Sequence, residues 1–233
     1  MKEVILITGT RKGIGKQLAE YYLSSGHQVV GCSRSEGTIS HPDYCHYSLD
    51  VSDEKAVTSM IKEVRKTFSK IDVLINNAGI ASMNHIVTTP FNTVQQIFQT
   101  NFFGTFLLVR EVSKVMMRKK YGRIVNFTTV AAPLRLEGEA IYAASKAAVI
   151  NFTEVASKEL APYGITVNAV GPTPIKTDLI KNVPESKITA LLDRQAIKRF
   201  GSYDDLINVI NFYIDKKSNF ITGQVLYLGG VNS

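Results

Sequence analysis

Cysteine is scarce in this chain: 2 in 233 residues, Cys32 and Cys45. So few in so long a chain exclude a disulfide framework. Neither belongs to a CxxC run or a His-rich spacing, so no metal site is expected. Both are expected as buried apolar filler in a reduced, cytoplasmic protein. Long hydrophobic runs are also missing. The apolar stretches fall far short of the roughly 20 residues that a membrane span needs. Val4-Ile5-Leu6-Ile7 runs straight into Thr8-Gly9, so it reads as a buried strand rather than a signal sequence. There is no internal repeat and no low-complexity stretch. A basic stripe is missing too. The formal net charge is +7, but Lys and Arg are scattered, which argues against a nucleic-acid partner. A phosphate-bearing cofactor or substrate would suit the surplus. The densest cluster, Arg118-Lys119-Lys120, sits where a helix would end, with Gly122 as the stop signal. His27, His41, His46 and His85 share no spacing and are expected at surface or packing positions.

What the chain does have is alternation. Apolar residues make up 45% and charged residues 20%, as in an ordinary globular protein. Short β-branched runs predict strands over Val4–Thr8, Gln28–Cys32, Tyr44–Ser48, Val73–Asn76, Arg123–Thr128, Thr166–Val170 and Gln224–Leu228. Helical patterns lie between them, over Gly15–Ser25, Glu54–Phe68, Phe91–Met117, Ile141–Leu160 and Tyr203–Asp215. Apolar strands separated by helices predict an α/β fold: a doubly wound parallel sheet of about seven strands, covered on both faces. Residues 1–233 read as one domain, since no linker divides them. The irregular stretch at about 172–201, with Pro172, Pro174 and Pro184, reads as a substrate lid at the ligand-binding edge.

Tyr142 and Lys146 are four apart, so they share one face of a helix. A cation beside a phenol favours the phenolate and suits the tyrosine to proton exchange with a carbonyl oxygen. Thr129 lies thirteen residues before the tyrosine. Its neighbour Thr128 would point to the other face of the strand.

Near the start of the chain, Thr8-Gly9-Thr10-Arg11-Lys12-Gly13-Ile14-Gly15 joins a strand to a helix. Glycines there allow a tight turn and a close approach to a pyrophosphate, which the helix N-terminus favours. The second strand ends in Ser33-Arg34, without the carboxylate that would hold ribose hydroxyls. Arg34, with Arg11 and Lys12, fits a 2′-phosphate instead, so NADP(H) is expected over NAD(H).

Together these motifs resemble the short-chain dehydrogenase/reductases along essentially the whole chain. Asp50-Val51, Asn76-Asn77-Ala78-Gly79, Asn101 and Tyr142-Ala143-Ala144-Ser145-Lys146 carry the resemblance with the glycine loop. Arg199-Phe200-Gly201 and Ile221-Thr222-Gly223-Gln224 look most like the 3-oxoacyl-thioester reductases. The resemblance implies the roles. Tyr142 would be the general acid, and Lys146 would lower its pKa and hold the nicotinamide ribose. Asn101 would fix a relay water. Asp50 and Val51 would meet the adenine. Asn77, Ala78 and Gly79 would lie near the ribose, and Pro172, Ile175 and Thr177 near the nicotinamide. It also implies a homodimer or homotetramer built on the long helices.

Three departures stand out: Thr129 replaces the family's usual serine, Gly171-Pro172-Thr173-Pro174 replaces its Pro-Gly, and Tyr163 replaces an arginine found in acyl-carrier reductases. Lys119 and Lys120 remain basic at the other docking position, so acyl carrier protein is a possible partner. The expected activity is NADPH-dependent reduction of a ketone, foremost a 3-oxoacyl thioester, with a sugar or other small ketone as the alternative. A non-catalytic NADP-binding regulatory protein would be expected to have lost Tyr142, Lys146 or Asn101, and all three are present.

Overall fold

A computed structural model describes residues 2–176 and 183–231. Seven parallel strands form one sheet in the order β3-β2-β1-β4-β5-β6-β7. They are β1 Val4–Thr8, β2 Gln28–Ser33, β3 Tyr44–Ser48, β4 Val73–Asn76, β5 Gly122–Phe127, β6 Ile165–Gly171 and β7 Val225–Tyr227. The main helices are α1 Gly13–Ser24, α2 Glu54–Phe68, α3 Phe91–Phe98, α4 Gly104–Lys119, α5 Ala131–Leu134, α6 Ala140–Leu160, α7 Glu185–Asp193 and α8 Tyr203–Ile214. None of the described helices is long and apolar enough to cross a membrane.

Strand alternation builds two cores. On β1, Val4 and Leu6 join the cluster under α2 and α4, with Val57, Val64, Leu108 and Val112. Ile5 and Ile7 join the opposite cluster under α1 and α8, with Leu18, Tyr22, Leu206 and Ile210. Successive side chains on a strand point to opposite faces, so a sheet covered on both sides needs unbroken apolar strands. A chain of buried amides ties α6 to the sheet centre. Asn76 Nδ2 donates to Asn126 Oδ1 at 2.9 Å, and Asn126 Nδ2 donates to Thr153 Oγ1 at 2.9 Å.

The strand order reverses between β1 and β4, and the loops leaving these strands touch there. Asn77 Nδ2 donates to the Thr8 carbonyl at 2.8 Å, and the Ala78 amide donates to Thr8 Oγ1 at 2.9 Å. Gly9 has φ +78°, and a Cβ on it would lie 2.9 Å from Asn77 Nδ2. This crevice at the strands' carboxyl ends is where open α/β sheets bind ligands.

Two local expectations change. The segment Phe91–Met117 is not one regular α-helix. Gln99–Phe103 forms a π-helical turn between α3 and α4, and Asn101 lies inside it. Gly122 does not stop α4 either. Lys120 caps that helix in the left-handed region at φ 49°. Gly122 opens β5, where a side chain would collide with Met116.

Candidate active site

A cavity of about 470 Å³ opens along the carboxyl edge of the sheet. The segment after β1 borders it with Gly9, Arg11, Lys12, Gly13 and Ile14, and the end of β2 with Ser33 and Arg34. Asp50, Val51, Asn77, Ala78 and Gly79 line its middle, and Thr128, Tyr142, Lys146 and Pro172 line the far side. A hollow of about 580 Å³ at the opposite edge, between Glu3, Tyr121 and Arg123, touches none of these residues. Tyr142, Lys146 and the glycine loop border the first.

Tyr142 and Lys146 are held by α6, one turn apart. The Thr129 hydroxyl, just beyond β5, acts on the Tyr142 phenol and lowers its pKa. It also accepts from the Ala131 amide at 3.2 Å. The Thr128 hydroxyl turns away and meets the Lys146 carbonyl at 3.4 Å. Burial pushes the Tyr142 phenol up to about 12; the Thr129 hydroxyl opposes the rise and the Glu139 charge adds to it. Burial is the largest of these effects, so the phenol's net direction is upward. The Lys146 ammonium is itself pushed down to about 8 by burial. Its Nζ donates to the Phe127 carbonyl at 2.8 Å. The Tyr142 ring remains half-buried and faces the cavity, so whatever fills that space controls how far the burial effect persists.

Asn101 is fully buried. Its Oδ1 accepts from the Ile80 amide at 2.9 Å, and its Nδ2 donates to the Ile80 carbonyl at 2.9 Å and to Ser145 Oγ at 3.0 Å. Ser145 Oγ in turn donates to the Tyr142 carbonyl at 2.7 Å. The π turn thus fastens the loop after β4 to the first turns of α6. Ser145 is a bracing residue that sequence reasoning quoted only as part of a motif.

Other predicted residues fall in different places. Gly15 lies behind the loop, where a Cβ would strike the Gly9 carbonyl. Asp50 borders the cavity, and its Oδ1 accepts from the Ser52 amide at 2.9 Å and the Ser52 hydroxyl at 2.7 Å. Ile175 is packed in the core under α8 and bridges to Gly201, so it does not line the cavity. Thr177 lies outside the described residues. The Tyr44 and His46 rings stand together near the glycine-loop end, where the His46 ring meets the Ser33 hydroxyl at 3.1 Å.

The family model described as "short chain dehydrogenase" matches residues 3–188. The chain belongs to the short-chain dehydrogenase family. This dehydrogenase is 32% identical to 3-oxoacyl-[acyl-carrier-protein] reductase FabG of Escherichia coli strain K12, over 98% of this chain and 96% of that one. It is 33% identical to FabG of Vibrio cholerae, with the same coverage. Among solved structures it resembles ElxO with NADP bound, at 32% identity and TM-score 0.89, covering 98% of this chain and 97% of the other. It also resembles the ligand-free aldohexose dehydrogenase of Thermoplasma acidophilum, at 28% identity and TM-score 0.89, covering 99% and 94%. The dehydrogenase is thus an oxidoreductase of the NAD(P)-dependent kind that interconverts alcohols and carbonyls.

Proposed function

We propose that this dehydrogenase is an NADPH-dependent carbonyl reductase whose foremost substrate class is the 3-oxoacyl thioesters. The observation that carries the reading is Tyr142 at the cavity wall, one helical turn from buried Lys146, with the Thr129 hydroxyl acting on its phenol. The cofactor fits the chain on structural grounds. Gly13 has φ +60°, and a Cβ there would meet nothing within 4 Å, so the loop's backbone faces open space. The first amides of α1 and the cationic side chains of Arg11 and Arg34 border that space. Among the described residues neither arginine is in an ion pair, which leaves both for a phosphate. When bound, the reduced nicotinamide supplies the hydride.

The chain's own residues supply the proton and the field. Tyr142 holds its proton firmly at neutral pH and donates it to the carbonyl oxygen as negative charge develops there. The Thr129 hydroxyl donates to the same oxygen. Lys146 keeps a positive charge beneath the phenol, which favours the phenolate left after transfer. Asn101 fixes the loop after β4 against α6 and so positions Tyr142. The stretch over 172–201 acts as the lid. Its described part rests on α5, where Arg194 Nη2 donates to the Leu134 carbonyl at 2.7 Å.

FabG relatives at 32–33% identity support an acyl thioester, and Lys119 and Lys120 give a carrier protein a basic surface. Exposed Phe103, Phe106 and Val155, on the π turn, α4 and α6, supply an apolar face for a second copy. The test is loss of NADPH absorbance with a panel of 3-oxoacyl thioesters, free ketones and sugar ketones. The thioesters are expected to turn over fastest. A Tyr142→Phe variant as fast as wild type sinks the mechanism, and a preference for sugar ketones replaces the substrate class.

A further inference from the structure

Four side chains with no part in that chemistry meet beneath the glycine-loop end of the cavity: Thr10, Ser33, Tyr44 and His46. Tyr44 and His46 are two apart on β3, so they share a face. His46 stands opposite Gly31 in the register with β2. A Cβ at Gly31 would collide with the hydroxyls of Tyr44 and Thr10, and one at Gly37 would come 2.7 Å from His46 Cγ. These two glycines leave the space that the cluster fills.

The bonding is directional. His46 Nε2 lies 3.0 Å from the Ser35 carbonyl oxygen and 3.1 Å from Ser33 Oγ. A carbonyl only accepts, so Nε2 carries the hydrogen and Nδ1 of the neutral ring is an acceptor. Nδ1 lies 2.8 Å from the Tyr44 hydroxyl, which is itself 2.8 Å from Oγ1 of fully buried Thr10 in the glycine loop. Nearby, the Thr38 hydroxyl donates to the Arg11 carbonyl at 3.0 Å. The imidazole therefore grips the residues on both sides of Arg34 and ties them to the loop that carries Arg11 and Lys12.

We propose that His46 is a positioning residue for 2′-phosphate recognition and sets the preference of this dehydrogenase for NADPH over NADH. The inference rests on the NADPH reading above. Arg34 is an exposed, flexible side chain, and gripping a phosphate orders it at an entropic cost. Holding its backbone and the Ser33 hydroxyl in place beforehand reduces that cost. A cofactor without the 2′-phosphate gains nothing from the arrangement, so loss of His46 falls on the phosphate alone.

The test measures dissociation constants of NADPH, NADH and adenosine 2′,5′-bisphosphate by calorimetry, for wild type, His46→Phe and His46→Gln, with thermal melting as the folding control. His46→Phe keeps a ring beside Gly37 and removes both nitrogens. It is expected to weaken NADPH and the bisphosphate about tenfold and to leave NADH within about twofold. His46→Gln retains a donor and is expected to recover part of the loss. Equal weakening of NADPH and NADH, or no weakening of either, overturns the positioning role while the NADPH reading stands. Wild type binding NADPH no tighter than NADH overturns both together. Should His46→Phe melt below the assay temperature, the same ratio is read from His46→Gln.

Discussion

The Thr129 hydroxyl acts on the Tyr142 phenol across the gap between the end of β5 and the first turn of α6. That hydroxyl opposes the burial that drives the phenol upward. Thr129→Val keeps the shape and deletes the hydroxyl. Turnover is expected to fall roughly 100-fold or more, as for loss of one oxyanion donor. The Tyr142 limb of the pH–rate profile is expected to move to higher pH, because the lost hydroxyl held the pKa down. Thr129→Ser restores the hydroxyl and is expected to stay near wild type. Equal rates for the valine and serine variants would remove Thr129 from the mechanism.

Lys146 has a stability signature separate from catalysis. Burial lowers its pKa from 10.5 to about 8 in the folded protein. Below about 8 the folded chain carries a buried charge and its full cost. Between about 8 and 10.5 the unfolded chain holds a proton that the folded chain has released, so stability rises with pH across that window. Lys146→Met is therefore expected to be inactive yet more stable than wild type at neutral pH, by roughly 1–3 kcal/mol. The gain should shrink as pH approaches 10.5, as denaturant melts of cofactor-free protein would report. A gain that does not change with pH contradicts the assignment.

Glu139 precedes Tyr142 by three residues on the same helical entry, and its charge raises the phenol. Burial raises the carboxyl's own pKa, and the Lys187 ammonium of α7 opposes that rise. Glu139→Gln removes the negative charge and favours the phenolate. The Tyr142 limb of kcat/KM against pH is expected to shift to lower pH. A limb that stays put or moves up would show that the two groups do not communicate.

The strands and the site residues differ in how they could be read. β1 and β4 have the boundaries expected from the apolar runs, because burial on both faces leaves no freedom in residue type. The π turn at Gln99–Phe103 had no local signal. It exists because Asn101 must satisfy the Ile80 amide and carbonyl and reach Ser145, and those partners arrive from distant parts of the chain. The same holds for Ile175. Its position after β6 suggested a cofactor contact, but the apolar surface of α8 buries it in the core.

The sequence by itself determined the doubly wound parallel sheet, the glycine loop and the pairing of Tyr142 with Lys146, since each follows from local spacing. Only the tertiary structure decided the direction of the phenol's pKa, the partner of Lys146 and the place of His46. Those depend on which groups lose water and which meet across the sheet. Desolvation and cross-strand contact come from the packed whole, and no stretch of sequence carries them alone.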